Sequence, residues 1–276
     1  MLKTRIITAV LLLAVLLPSF FLLTPLYLSG IFLLILALAA WEWSRLIAPQ
    51  KSALAFIYAL LLILIIAALL YGQKPIIEFG VLLSASFFWI FIAPIFLWRS
   101  LHLPVAQWPL SFALLGLIIF CAAWFALILL RQFGVIFLLS TMALVWVADI
   151  GAYFVGKAVG RRRLAPQLSP GKTLEGAVGG IIFACIYASL CAWYLPFNLT
   201  LFGFAVMRLG FLAMLGLVIG LCLFSIVGDL FESQLKRLAG VKDSSRLLPG
   251  HGGVLDRIDA LLPTMPLAAL LVGLML

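Results

Sequence analysis

Between Ser225 and Asp259 the chain reads SIVGDLFESQLKRLAGVKDSSRLLPGHGGVLDRID, a stretch dense in groups suited to phosphate and metal chemistry. On a helix, Asp229, Glu232, Ser233 and Lys236 fall at i, i+3, i+4 and i+7, which places carboxylates and an ammonium on one face. The same spacing also suits a solvated helix end with Glu232 paired to Lys236. Next, Lys242, Arg246 and His251 stand around Gly250, Gly252 and Gly253. Successive glycines can turn backbone N–H groups toward an anion such as phosphate, although a flexible connector reads similarly. Asp256 and Asp259 then flank Arg257 at i, i+3. Two carboxylates so spaced can chelate Mg²⁺, a hard cation that bridges to substrate phosphates; acids at a helix start are also favoured by the helix dipole.

A second polar region runs from Asp149 to Gly180, DIGAYFVGKAVGRRRLAPQLSPGKTLEGAVGG. Asp149 lies within an apolar run, where a carboxylate is costly and marks either a functional group or one paired to Lys157 or Arg162. Gly171-Lys172-Thr173 resembles the end of a phosphate-binding Walker loop, but Pro166 occupies the place of its first glycine and no strand is expected before it. That reading is rejected. Arg161, Arg162 and Arg163 suit either membrane-surface anchors or a site for anionic headgroups. Small residues recur every fourth position, at Ala148, Ala152, Gly156 and Gly160 and at Gly176, Gly180, Ala184 and Ala188. Such stripes predict that the two flanking helices pack closely and hold this region against the later one.

The elements that position these groups follow from composition. Of 276 residues, 66% are hydrophobic and 10% charged, and the mean hydropathy is +1.31. One soluble core cannot absorb that excess, so the expected fold class is all-α, a polytopic membrane helix bundle. Apolar runs of spanning length fall at about residues 5–23, 27–44, 53–71, 76–98, 109–130, 134–157, 174–195, 209–229 and 258–276, giving about nine transmembrane helices. The net charge of +9 would suggest nucleic acid in a soluble domain. Here the bases sit in short loops, so anionic lipid or phosphate ligands are expected and nucleic acid is not.

Fifteen of the eighteen Lys and Arg residues fall in alternate loops: Lys3 and Arg5; Arg45 and Lys51; Arg99; Lys157, Arg161–Arg163 and Lys172; Lys236, Arg237, Lys242, Arg246 and Arg257. Only Lys74, Arg131 and Arg208 lie on the other side. The positive-inside rule then places the N-terminus in the cytoplasm, with the first span uncleaved and both polar regions on the cytoplasmic face. Cys121, Cys185, Cys191 and Cys222 lie in apolar stretches without metal-ligand spacing. Seven of the nine acids fall in the second half, leaving Glu42 and Glu78 in the first. The chain therefore reads as a single domain over 1–276, with scaffold helices over about 1–133 and a catalytic half over about 134–276.

From Ser233 to Asp259 the chain resembles the signature of the phosphatidate cytidylyltransferases, or CDP-diacylglycerol synthases. The matching positions are Ser233, Lys236-Arg237, Lys242-Asp243, Pro249 to Gly253, Asp256-Arg257 and Asp259. The segment from Asp149 through Tyr153, Ser169-Pro170, Lys172-Thr173 and Glu175-Gly176 is similar to the family's upstream region, while Gly171 and Ala260 depart from it. The resemblance implies that CTP and phosphatidate give CDP-diacylglycerol and pyrophosphate with Mg²⁺, one cation or two, in an inner-membrane homodimer whose site faces the cytoplasm. It implies metal binding by Asp229 and Asp256, with Asp259 as a further ligand or orienter. Lys236, Arg237, Lys242 and Arg257 would meet the triphosphate and lipid headgroup, with Gly250, His251, Gly252 and Gly253 closing over the phosphates. Ser169, Lys172, Thr173 and Ser233 would complete the substrate pocket, with Asp149 steadying it. A CTP-dependent polyprenol or dolichol kinase and an ion-coupled transporter are the rival readings; membrane lipid is a partner in each.

Overall fold

The computed structural model describes residues 2–49, 52–72, 75–98, 103, 105 and 107–276, apart from the side chains of residues 2–6, 9 and 52. Lys51, Lys74 and Arg99 lie outside the described residues, as do the side chains of Lys3 and Arg5. The apolar runs form helices because a backbone in hydrocarbon must satisfy its own N–H and C=O groups. They are α1 (Leu2–Leu22), α2 (Pro25–Ile47), α3 (Ser52–Gly72), α4 (Pro75–Phe87), α5 (Ala93–Trp98), α6 (Pro109–Gln132), α7 (Val135–Val159) and α8 (Leu174–Tyr194). After these come α9 (Leu201–Leu209), α10 (Phe211–Leu238), α11 (Leu255–Ile258) and α12 (Leu261–Met275). Pro25, Pro75 and Pro109 open their helices, where a missing N–H costs nothing.

Among the described residues, seven helical segments are long and apolar enough to cross a membrane: α2, α3, the α4–α5 unit, α6, α7, α8 and α10. The expected first and last spans coincide with α1 and α12, whose apolar stretches are shorter, Val10–Leu22 and Leu261–Met275. The chain is a multi-pass, predominantly helical membrane protein. Besides a 3₁₀ turn at Phe197–Leu199, two local features among the described residues depart from uniform α-helix. Between α4 and α5, Phe88–Ile92 form a π-turn, next to Pro94, which cannot donate to the ladder. Between α7 and α8, the segment expected as a loop folds into an antiparallel hairpin of β1 (Arg163–Ala165) and β2 (Ser169–Thr173).

The small-residue stripes do what their spacing predicts. A Cβ on Gly176 would lie 2.8 Å from the Ala152 carbonyl oxygen, and one on Gly180 would lie 2.5 Å from that of Ala148. Helices α7 and α8 therefore touch backbone to backbone. Glu175, in the first turn of α8, accepts the N–H groups of Arg161 (3.0 Å) and Arg162 (3.1 Å), and so pins the hairpin's base. Toward the other side, α6 packs against α2, α4 and α12, and α10 packs against α8 and α12. Helix α10 contacts both the hairpin and the glycine-rich loop, and the polar residues of each meet on it.

Candidate active site

On one side of α10 lies a cavity of about 560 Å³ bounded by α7, the hairpin, α8 and α10. Much of its wall is apolar or small, including Ala148, Ala152, Ile181 and Ile226, and its charged lining is Asp149, Lys157, Arg163, Lys172 and Asp229. Lys172 on β2 forms an ion pair with Asp229 on α10, both side chains about a quarter exposed, at 28% and 26%. The Ser233 hydroxyl donates to Asp229 Oδ1 (3.4 Å) from the next turn. Asp149 opens into the cavity; the pairing with Lys157 or Arg162 weighed from sequence is not found among the described residues. The Lys157 ammonium instead lies over the Tyr153 ring, 5.9 Å from its centroid.

One to two turns further along the same face of α10 the arrangement is buried. Lys236 Nζ donates to Glu232 Oε2 (2.6 Å) and to Asp256 Oδ1 (2.6 Å). The solvated-helix alternative is thereby corrected: the Glu232–Lys236 pair exists, but Glu232 is only 3% exposed because the loop folds back over it. Glu232 Oε1 is buried with no hydrogen-bond partner. The flexible-connector alternative also fails. Asp256 Oδ2 accepts from Gly253 N–H (2.8 Å), Ser244 N–H (3.0 Å) and Ser244 Oγ–H (3.0 Å), tying both ends of the loop together. Burial raises the Asp256 pKa, but the Lys236 ammonium and the Gly253 N–H outweigh it and hold the carboxyl below its usual range. Gly252, at φ +83°, leaves no room for a side chain, since a Cβ would lie 2.6 Å from Asp256 Oδ2.

One residue of this construction was not foreseen. Glu42, on α2 and fully buried, accepts hydrogen bonds from Ser245 Oγ (2.6 Å) and Val254 N (2.9 Å) at Oε1. At Oε2 it accepts from Ser244 Oγ (3.0 Å) and Leu255 N (2.6 Å). It crosses the division between scaffold and catalytic halves drawn from sequence. The available signal was an acid within the second apolar run, where burial demands partners.

The remaining expected residues are placed as follows. Ser169 and Lys172 line the cavity. Thr173 lines it too, but it is buried and its hydroxyl oxygen caps α8 by accepting from Gly176 N (3.1 Å). Gly171-Lys172-Thr173 lies on strand β2 itself and runs straight into α8, leaving no phosphate-cradling loop between them. Arg237 Nε donates to the Leu168 carbonyl (3.2 Å), so this guanidinium braces the hairpin against α10. His251 stands in a tight turn in which its N–H donates to Leu248 O (2.8 Å), with a buried Nδ1 that has no partner. Gly250 is exposed at φ +77°. Lys242 and Arg257 are exposed at the surface, apart from the buried Lys236.

Asp259, between α11 and α12, is the neighbour of Asp229. Burial, and then the Asp229 charge, raise its carboxyl above the usual carboxylate range. Among the described residues no three carboxylate, imidazole or thiolate side chains converge as a ready-made cage. A pair of neighbouring carboxylates nevertheless suits Mg²⁺, which takes one or two carboxylates and completes its shell with water and substrate phosphates. The unpartnered Glu232 Oε1 beside them also fits a site completed by a cation. Asp256 fits less well as a direct ligand: its oxygens are held in a buried network, whereas those of Asp229, engaged by Lys172 and Ser233, are at the open cavity.

The cytidylyltransferase family pattern matches residues 3–275. Among curated proteins, the chain is 40% identical over 275 residues to a phosphatidate cytidylyltransferase of Pseudomonas aeruginosa, covering 98% of this chain and 97% of that one. It is 36% identical to the phosphatidate cytidylyltransferase of Haemophilus influenzae, covering 96% of each. A Bacillus subtilis protein of the same name is 41% identical over 145 residues, about half of either chain. The likeness thus extends through the first-half helices that carry Glu42, well beyond the glycine-rich segment. The chain belongs to the cytidylyltransferase family.

Proposed function

We infer that the protein is a phosphatidate cytidylyltransferase, converting CTP and phosphatidate to CDP-diacylglycerol and pyrophosphate. The observation that carries this reading is the full-length likeness to chains of that name. The geometry supports it: the cavity has apolar walls within the membrane helices and a charged end at Lys172 and Asp229, matching an acyl-bearing molecule with a phosphate head.

In the reaction, a phosphatidate oxygen forms a bond to the α-phosphorus of CTP as the bond to the β-phosphate bridging oxygen breaks. Pyrophosphate carries away the electron pair. The attacking phosphate is already ionised near neutral pH, so no protein nucleophile or strong base is required. The protein's work is to position the phosphates and to place fixed positive charge around them. Lys172 faces the cavity and is assigned to the lipid phosphate; exposed Lys242 and Arg257 approach the triphosphate from the surface. Asp229 and Asp259 are the residues assigned to Mg²⁺, which would neutralise phosphate charge. Asp256 acts chiefly by ordering the loop, and a second cation at it would require Lys236 to withdraw.

The proposed topology has nine spans drawn from the apolar runs, with the N-terminus and the site on the cytoplasmic side as the distribution of Lys and Arg supports; the inner membrane is proposed on family resemblance. A homodimer is proposed on family resemblance alone. The test is pyrophosphate release from detergent-purified protein given CTP, phosphatidate and Mg²⁺, with each omitted in turn. Release requiring all three, with CDP-diacylglycerol in the lipid extract, is the expected result. CDP with a phosphorylated lipid would establish the kinase instead, and no product from folded protein would return the transporter reading.

A further inference from the structure

We propose that Glu42 is a positioning residue for the transfer reaction, acting from α2 on the loop and short helix that carry Asp256, Arg257 and Asp259. The inference rests on the phosphatidate cytidylyltransferase reading. A fully buried carboxylate is costly unless its oxygens are filled, and Glu42 fills all of its contacts from one stretch, Ser244 to Leu255. Helix α11 has no side-chain cap of its own, because its N-cap residue is Val254. Glu42 supplies from 212 and 213 positions away the acceptor for the N–H groups of Val254 and Leu255.

The connection to Asp256 is short. Ser244 Oγ lies 3.0 Å from Glu42 Oε2 and 3.0 Å from Asp256 Oδ2. One hydroxyl proton serves one acceptor at a time, and the backbone N–H groups of Leu255 and Gly253 keep the other satisfied. The two carboxylates are thus locked in register through a single side chain. Gly253 completes the lock, for a Cβ there would overlap both Ser244 Oγ and the Glu42 carboxylate. Turning or shifting Glu42 must shift α11, and with it the acids and arginine that surround the phosphates.

A carboxylate is required, not merely a polar group. Each Glu42 oxygen meets a backbone N–H, so glutamine in the same place would point its NH₂ at one of them. Aspartate is one methylene short of spanning both. The seat of α2 does not depend on this acid, since the adjacent Trp43 Nε1 donates to Phe112 O (3.1 Å) and its ring packs on Phe120 and Phe231. The fold of α2 and the orientation of the loop are therefore separable by mutation.

The experiment compares wild type, Glu42→Gln, Ser244→Ala and Glu78→Gln, the last altering the other first-half acid, by steady-state kinetics and by amide hydrogen exchange. Glu42→Gln is expected to lower kcat about 100-fold, the scale of a misplacement of order 1 Å near reacting groups, with the KM for phosphatidate little changed. Ser244→Ala should cost less alone and add little in the double variant, and Glu78→Gln should behave as wild type. Exchange should quicken at Val254 and Leu255 while α7 and α8 are unaffected. A general loss of fold would instead reduce the amount of active protein and speed exchange throughout. If Glu42→Gln turns over as wild type, or if exchange at Val254 and Leu255 is unaltered, the proposal is overturned. Should Glu42→Gln not fold, Ser244→Ala carries the same test through the exchange of the loop. Wild-type protein that makes no CDP-diacylglycerol would defeat the functional reading alone, because the exchange result judges Glu42 without any activity.

Discussion

Two lysines meet carboxylates of α10 at different levels of one face, and they are built differently. Lys172 reaches from the hairpin to Asp229 at the polar end of an open cavity, with both side chains about a quarter exposed. Lys236 is on α10 itself and joins Glu232 to Asp256, with 3% and 5% exposure at the two acids. A pair in contact with a cavity can exchange partners with a phosphate at little cost. A buried triad cannot, because any departure strands a charge in a poorly solvated place. This difference supports the proposed roles, substrate binding for Lys172 and construction of the site for Lys236.

The largest effect expected from this contrast is that of Lys236→Met. Removing the ammonium leaves Glu232 and Asp256 buried without their shared partner, which should cost roughly 3–5 kcal/mol of stability and abolish activity. Thermal unfolding in detergent measures it, and a stability equal to wild type would erase the distinction between the two sites. Lys172→Met should move unfolding by no more than about 1 kcal/mol, as for other partly exposed pairs. Its kcat/KM should nonetheless fall on the order of 100-fold, the loss typical of one group stabilising transition-state charge. If it unfolds as readily as Lys236→Met, both lysines are structural.

Arg237→Ala sharpens the boundary between the two pairs. It removes the hydrogen bond to Leu168 O and should cost about 1 kcal/mol, with a severalfold rise in the KM for phosphatidate as the hairpin loosens. Protease susceptibility across 163–173 gives an independent reading. Lys157→Ala should be the mildest, within about 1 kcal/mol, since it loses only an exposed contact with the Tyr153 ring. A catalytic defect there as deep as that of Lys172→Met would show that Lys157, which also lines the cavity, meets substrate as directly as Lys172 does.

Much of this construction could be read locally. The i, i+3, i+4, i+7 set on α10 does lie together, because helical spacing alone fixes which residues share a face. The four-residue stripes of α7 and α8 likewise predicted close packing, since only small residues admit backbone contact. The hairpin was less accessible: its strands are three and five residues long, too short for a periodic signal against the Pro and Gly within them. Thr173 and Arg237 were assigned to substrate from their motif positions. Their contacts with Gly176 and Leu168 depend on where the hairpin folds.

The sequence by itself determined the solvent, the multi-pass helical class and the family. Hydropathy is a sum over local composition, and the polar spacing from Ser233 to Asp259 is contiguous in the chain. Only the tertiary structure decided that Lys236 is buried, that Asp256 spends its oxygens on the loop, and that Glu42 holds that loop from some 200 residues away. These are properties of packing. A carboxylate on an apolar helix announces that it needs donors, but which N–H groups meet it is fixed by how α2, α10 and α11 come together.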